Sequence, residues 1–170
     1  MGKKQTRGVD YDALPSQKRF HESTARFKGF SGPVGTGKSL ALCHEAIRLS
    51  YVDHGRTGLI GAPTYPMLRD ATQATFFGIL NENAVPYTFN KGTNTLKMGD
   101  SVSTILFRSM DEYERLRGTN LAWFGVDGTC RGDAALRQPA RADRLRSSPI
   151  SSITRTMSGW PDRWIGYAPG

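Results

Sequence analysis

Apolar positions change their spacing along the chain, and each change marks an element. Residues 16–26 open behind Pro15 as a short helix with Phe20 and Phe27 turned to a core, and 27–31 read as a short strand entering a glycine-rich turn. Apolar residues at 40, 42, 43, 46, 47 and 49 carry a helical period through 40–51, and Gly55 is placed to stop it. TGLIGA at 57–62 reads as a second strand, broken by Pro63. Helical spacing resumes over 67–80 with Leu68, Ala71, Thr75 and Ile79. From 85 to 108 the period falls to two: Leu96 and Met98, then Val102, Thr104 and Leu106, flank Gly99-Asp100 and predict a β-hairpin. After the charged stretch MDEYERLRG, the apolar run 121–126 predicts a buried strand that ends on Asp127.

Strands alternating with helices predict an α/β fold with a mainly parallel sheet flanked by helices and an inserted hairpin. The length suits one domain with a substantial core. The expected organisation is a flexible basic arm over 1–14, a partial α/β domain over 15–127, and a poorly ordered basic tail over 128–170. That tail differs in kind, having no Lys, Glu, Val, Phe or Asn but seven arginines against three aspartates. The resulting +4 is half of the chain's +8. With the +8 charge, a pI near 9.8 favours polyanionic partners, nucleic acid above all.

Other chemistries are disfavoured. Cys43 and Cys130 lack zinc-ligand spacing and make no disulfide framework. Cys43 and His44 are adjacent, so on a helix they point about 100° apart. No apolar run is long enough to span a bilayer, and no apolar segment follows the basic start as in a secretory signal. MGKKQT fits the short myristoylation pattern, but a solvated basic arm is the simpler reading.

GPVGTGKS, from Gly32 through Pro33, Val34, Gly35, Thr36, Gly37 and Lys38 to Ser39, matches the P-loop pattern in full and stands between a strand and a helix. Glycines allow successive amide N–H groups to turn inward around phosphate oxygens, where a Cβ would obstruct them. The helix that follows adds the positive end of its dipole. Lys38 is expected to reach the β- and γ-phosphates of ATP, and the Ser39 hydroxyl to ligate Mg²⁺. Asp127, closing an apolar strand, is the expected carboxylate of the Mg²⁺ shell. The neighbouring position, where many ATP-splitting enzymes carry a glutamate to activate water, holds Gly128.

With these motifs in order, residues 1–127 resemble the ATPase domain of phage large terminase subunits, P-loop NTPases of the RecA-like (ASCE) type that package DNA. YDALPSQKRFHESTARFKGF resembles the family's entry segment. There Gln17 matches a glutamine whose amide is suited to pair with adenine; read alone it is a polar helix residue. GAPTYPMLRDAT resembles the segment linking the nucleotide site to DNA. ILFRSMDEYERLRGTNLAWFGVD resembles the family's hairpin, arginine-rich loop and acid-bearing strand. The resemblance implies an arginine finger at Arg117, with Arg115 as second choice, and ATP with Mg²⁺ as cofactors. It also implies double-stranded DNA as the translocated partner, a homo-oligomeric ring with portal and small terminase subunits, and a host-cytoplasmic, non-secreted protein without a membrane partner.

The resemblance stops at Asp127, where motif, period and composition change together. This predicts that 128–170 is out-of-frame translation or an altered terminus, leaving the fold incomplete at that end. It also predicts an open edge on the 121–126 strand. Three functional expectations follow: a working ATPase of a packaging motor, a remnant that binds nucleotide but turns over slowly, and a basic nucleic-acid-binding protein whose loop is incidental.

Overall fold

The computed structural model describes residues 9–110 and 119–128 and, for the backbone, 163–167. Helix α1 (Pro15–Glu22) begins on a proline, whose missing N–H is no loss in a first turn. A three-residue strand, β1 (Phe27–Gly29), leads through the glycine-rich turn to α2 (Lys38–Val52). Strand β2 (Thr57–Ala62) is followed by one continuous helical segment of changing pitch. It comprises α3 (Tyr65–Met67), a π-helical stretch (Leu68–Gln73) and α4 (Ala74–Glu82). A meander of β3 (Tyr87–Asn90), β4 (Thr95–Met98) and β5 (Thr104–Ser109) precedes β6 (Trp123–Asp127). The last described element is β7 (Arg163–Tyr167).

The strands form one sheet in the order β1-β7-β6-β2-β5-β4-β3. Only its centre is parallel: β2 pairs in parallel with β5 on one side and β6 on the other. The remaining pairings, β1 with β7, β6 with β7, β3 with β4 and β4 with β5, are antiparallel. The expected mainly parallel sheet is thus corrected to a parallel α/β centre with antiparallel flanks. In the meander the reason is local: the short turns between β3, β4 and β5 can only reverse the chain.

β6 is not an open edge. Val126 pairs with Gly61 of β2 on one side and with Trp164 of β7 on the other. Part of the tail expected to be poorly ordered therefore supplies an interior strand, while 129–162 and 168–170 lie outside the described residues.

Alternation along the strands divides the apolar side chains between two faces. Ile60, Ala62, Ile105, Phe107 and Trp123 join residues of α1, α2, the π-helical stretch and α4 in the larger core. Leu59, Phe124 and Val126 form a smaller cluster with Leu106, Met110 and Leu121. Expected core positions shift in three places. Phe27 is largely exposed on β1, and Lys28 is the buried residue of that strand. In the helix after β2, Ala71 turns outward and Thr75 is only partly buried, while Thr72, Gln73 and Phe76 are buried with Leu68, because a π turn holds an extra residue and rotates the phase. In the hairpin, Ile105 and Phe107 take the deep face and Leu106 the shallow one, while Val102 sits exposed in the turn at φ 57°.

Candidate nucleotide site

β1 and β6 both run antiparallel to β7, hence parallel to each other, and Gly29 and Val126 pair with the same residue, Trp164. The loop at 30–37 therefore leaves β1 at the level where β6 ends on Asp127. Two inter-strand steps, about 10 Å, separate them. β2 ends at this level too, since Gly61 pairs with Val126. Crevices beyond the carboxyl ends of such strands are where open α/β sheets bind ligands.

The loop holds the conformation its residues allow. Gly35 and Gly37 have φ of 84° and 70°, the region glycine enters without strain. A Cβ on Gly37 would lie 2.6 Å from Gln17 Nε2. That nitrogen donates to Gly37 O at 3.2 Å, while Gln17 Oε1 accepts from Leu14 N at 2.8 Å. Gln17 is buried, bridging the start of α1 to the loop. The structure thus brings Gln17 to the phosphate-loop motif across 20 residues of chain.

The Thr36 hydroxyl donates to Pro33 O, Val34 is fully exposed at the loop's tip, and Ser39 is partly buried in the first turn of α2. The ammonium of buried Lys38 donates to Gly32 O and Pro33 O, both at 2.6 Å.

Asp127 is 3% exposed, and its Oδ2 accepts a 2.8 Å hydrogen bond from the hydroxyl of Thr72. Thr72, in the π-helical stretch, also lies against α2: Cys43 Sγ is 3.7 Å from its carbonyl oxygen. Gly128 has φ 106°, and a Cβ there would sit 3.0 Å from Pro63 Cδ. The Ser39 hydroxyl and the Asp127 carboxylate are hard oxygen donors of the kind Mg²⁺ takes. Among the described residues no cluster of three or more His, Cys, Asp or Glu could enclose a metal. A divalent ion here would complete its shell from phosphate and water, as Mg²⁺ does at nucleotide sites. Arg117 and Arg115 lie outside the described residues.

The sequence reading missed two groups. One is Thr72, whose only signal was a hydroxyl on what became the buried face. The other is the carboxylate of Glu45, 0% exposed on α2. It accepts from His21 Nδ1 (2.7 Å) on α1, Lys28 Nζ (3.0 Å) on β1, and Arg48 Nε and Nη2 (2.9 and 2.6 Å). Burial alone would raise its pKa, but hydrogen bonds from Arg48, His21 and Lys28 outweigh this and lower it to about 2. A glutamate one position before an apolar pair on α2, and a lysine within a strand, were its traces in the sequence. Nearby, His44 stacks on Tyr11 with ring centroids 3.7 Å apart. Burial, with the charge of His21, lowers His44 to about 4, and burial raises Tyr11 to about 12.

No family model and no curated protein matches the chain. Two solved structures do: the large terminase ATPase domain of Thermus phage P74-26, and an arginine-to-alanine mutant of it. Each aligns with a TM-score of 0.61 at 20% identity, over 90% of this chain and 64% of the solved one. The chain thus spans a little under two thirds of the length of these structures. It shares their α/β fold. No helix among the described residues is long and apolar enough to cross a membrane.

Proposed function

We propose that this chain is the ATP-binding segment of a phage DNA-packaging motor of the large terminase kind, coupling ATP hydrolysis to translocation of double-stranded DNA. The observation that carries this reading is the common level of the phosphate-loop motif and Asp127 at the ends of β1 and β6, in a fold shared with a terminase ATPase domain. In it, the loop amides and Lys38 hold the β- and γ-phosphates, Gln17, held beside the loop, is the group assigned to the adenine base, and Ser39 and Asp127 hold Mg²⁺. The ion, when bound, would neutralise charge on the phosphates. Double-stranded DNA, ring assembly with portal and small terminase subunits, and a host-cytoplasmic setting belong to the same reading. Both the net charge of +8 and the fold support it.

Gly128 favours a second form of the reading, a unit that binds ATP·Mg²⁺ and hydrolyses it slowly. At φ 106° against Pro63, this position offers no carboxylate to activate water. One set of measurements tests both. Binding of a fluorescent ATP analogue with Mg²⁺ is expected in the parent and lost in Lys38→Ala. Turnover stimulated by duplex DNA supports the motor; binding without turnover supports the slow unit. DNA binding indifferent to ATP and to Lys38→Ala, with no nucleotide bound, overturns both in favour of a plain nucleic-acid-binding protein.

A further inference from the structure

Thr72 is 1% exposed in the π-helical stretch Leu68–Gln73, and its hydroxyl donates to Asp127 across 55 positions of chain. A threonine inside a helix commonly turns its hydroxyl back on its own helix. Thr75, three residues on, does so, donating to Ala71 O at 2.8 Å. Thr72 instead spends its donor on the carboxylate. Thr72 and Gln73 are both buried in this π-pitched turn. Gln73 is itself buried, and its Nε2 has no hydrogen-bond partner among the described residues. A turn that widens a helix and leaves a buried amide unanswered is retained at a cost, and such turns concentrate at functional sites.

We propose that Thr72 is a positioning residue for the acid of the metal site: its hydroxyl fixes the rotamer in which Asp127 meets the divalent ion. The proposal rests on the ATP·Mg²⁺ reading above. Hydrogen bonds to a ligating carboxylate set its direction and basicity, and losing one typically weakens metal binding about 10–100-fold. The cue is the contact itself, which residue spacing does not reveal.

The test uses the full chain and a fluorescent ATP analogue, titrated with Mg²⁺ from EDTA upward. Thr72→Val keeps the shape and removes the donor. It is expected to raise the Mg²⁺ concentration needed for tight binding by about tenfold or more. Affinity in EDTA should stay at the parent's value, and Thr72→Ser should stay within about twofold of the parent. Parent-like Mg²⁺ dependence in Thr72→Val overturns the proposal. So does a Thr72→Ser that behaves like Thr72→Val, because the effect would then follow the methyl group. If Thr72→Val does not fold, Thr72→Ala against Thr72→Ser makes the same comparison. A parent that binds no nucleotide under any condition removes the nucleotide reading, and this proposal with it; binding abolished in Lys38→Ala but unaltered in Thr72→Val removes the proposal alone.

Discussion

Gly128 sets a limit on repair at the residue scale. Its φ of 106° is a conformation that residues with a Cβ adopt only under strain, and Pro63 Cδ lies 3.0 Å from where that Cβ would be. Gly128→Glu is therefore expected to lower stability by about 1–3 kcal/mol. It should bring no gain in hydrolysis, measured by phosphate release beside the melting temperature. A clear rise in rate at unchanged stability would contradict this. Lys38 makes a contrasting case. Its ammonium already rests on the Gly32 and Pro33 carbonyls. A polyphosphate entering the loop would draw it from two neutral acceptors to a charged one, an exchange that favours binding.

At the scale of elements, Glu45 is the point where α1, β1 and α2 meet. Its native pKa is about 2 against an ordinary 4.5, so the stability it contributes is full above 4.5 and is lost as pH falls towards 2. His44 acts in the same direction. Held near 4 against an ordinary 6.5, it resists a proton that the unfolded chain accepts, so stability begins to fall below pH 6.5. Denaturant midpoints measured from pH 7 to 3 should decline steadily. Glu45→Gln should flatten the lower part of that slope while costing about 3–5 kcal/mol at pH 7, because Lys28 and Arg48 lose their common charged partner.

α2 and β2 were legible from apolar spacing, since nothing competes with period there. The phosphate-loop motif was legible because its chemistry is local. Thr72 and Glu45 were not: the first depends on a change of helical pitch that adds a residue per turn, the second on partners 24 and 17 positions away. Gln17 was singled out through resemblance alone, and its contact with Gly37 spans 20 residues.

For the whole molecule, the sheet is built from two dissimilar halves. The parallel centre and the meander come from a continuous run of chain, and this half was readable as strands. β7 comes from a stretch rich in Ser, Pro and Arg with no sustained period, and its place follows only from pairing with β1 and β6. A chain ending at 162 is expected to aggregate and to lose cooperative unfolding, since it would expose ladder groups on both of those strands. Size-exclusion chromatography and thermal denaturation would show it. A monodisperse, cooperatively melting product would mean that β7 contributes little.

The order β1-β7-β6 has one more consequence. Among the described residues β1 has a single strand neighbour, and that neighbour begins 134 positions after β1 ends. The register between the phosphate loop and Asp127 is thus carried through a remote tail rather than through adjoining chain. Amide exchange should report this dependence. Fraying of 163–167 would release all inter-strand protection in 27–29, while 123–127 would keep its bonds to β2.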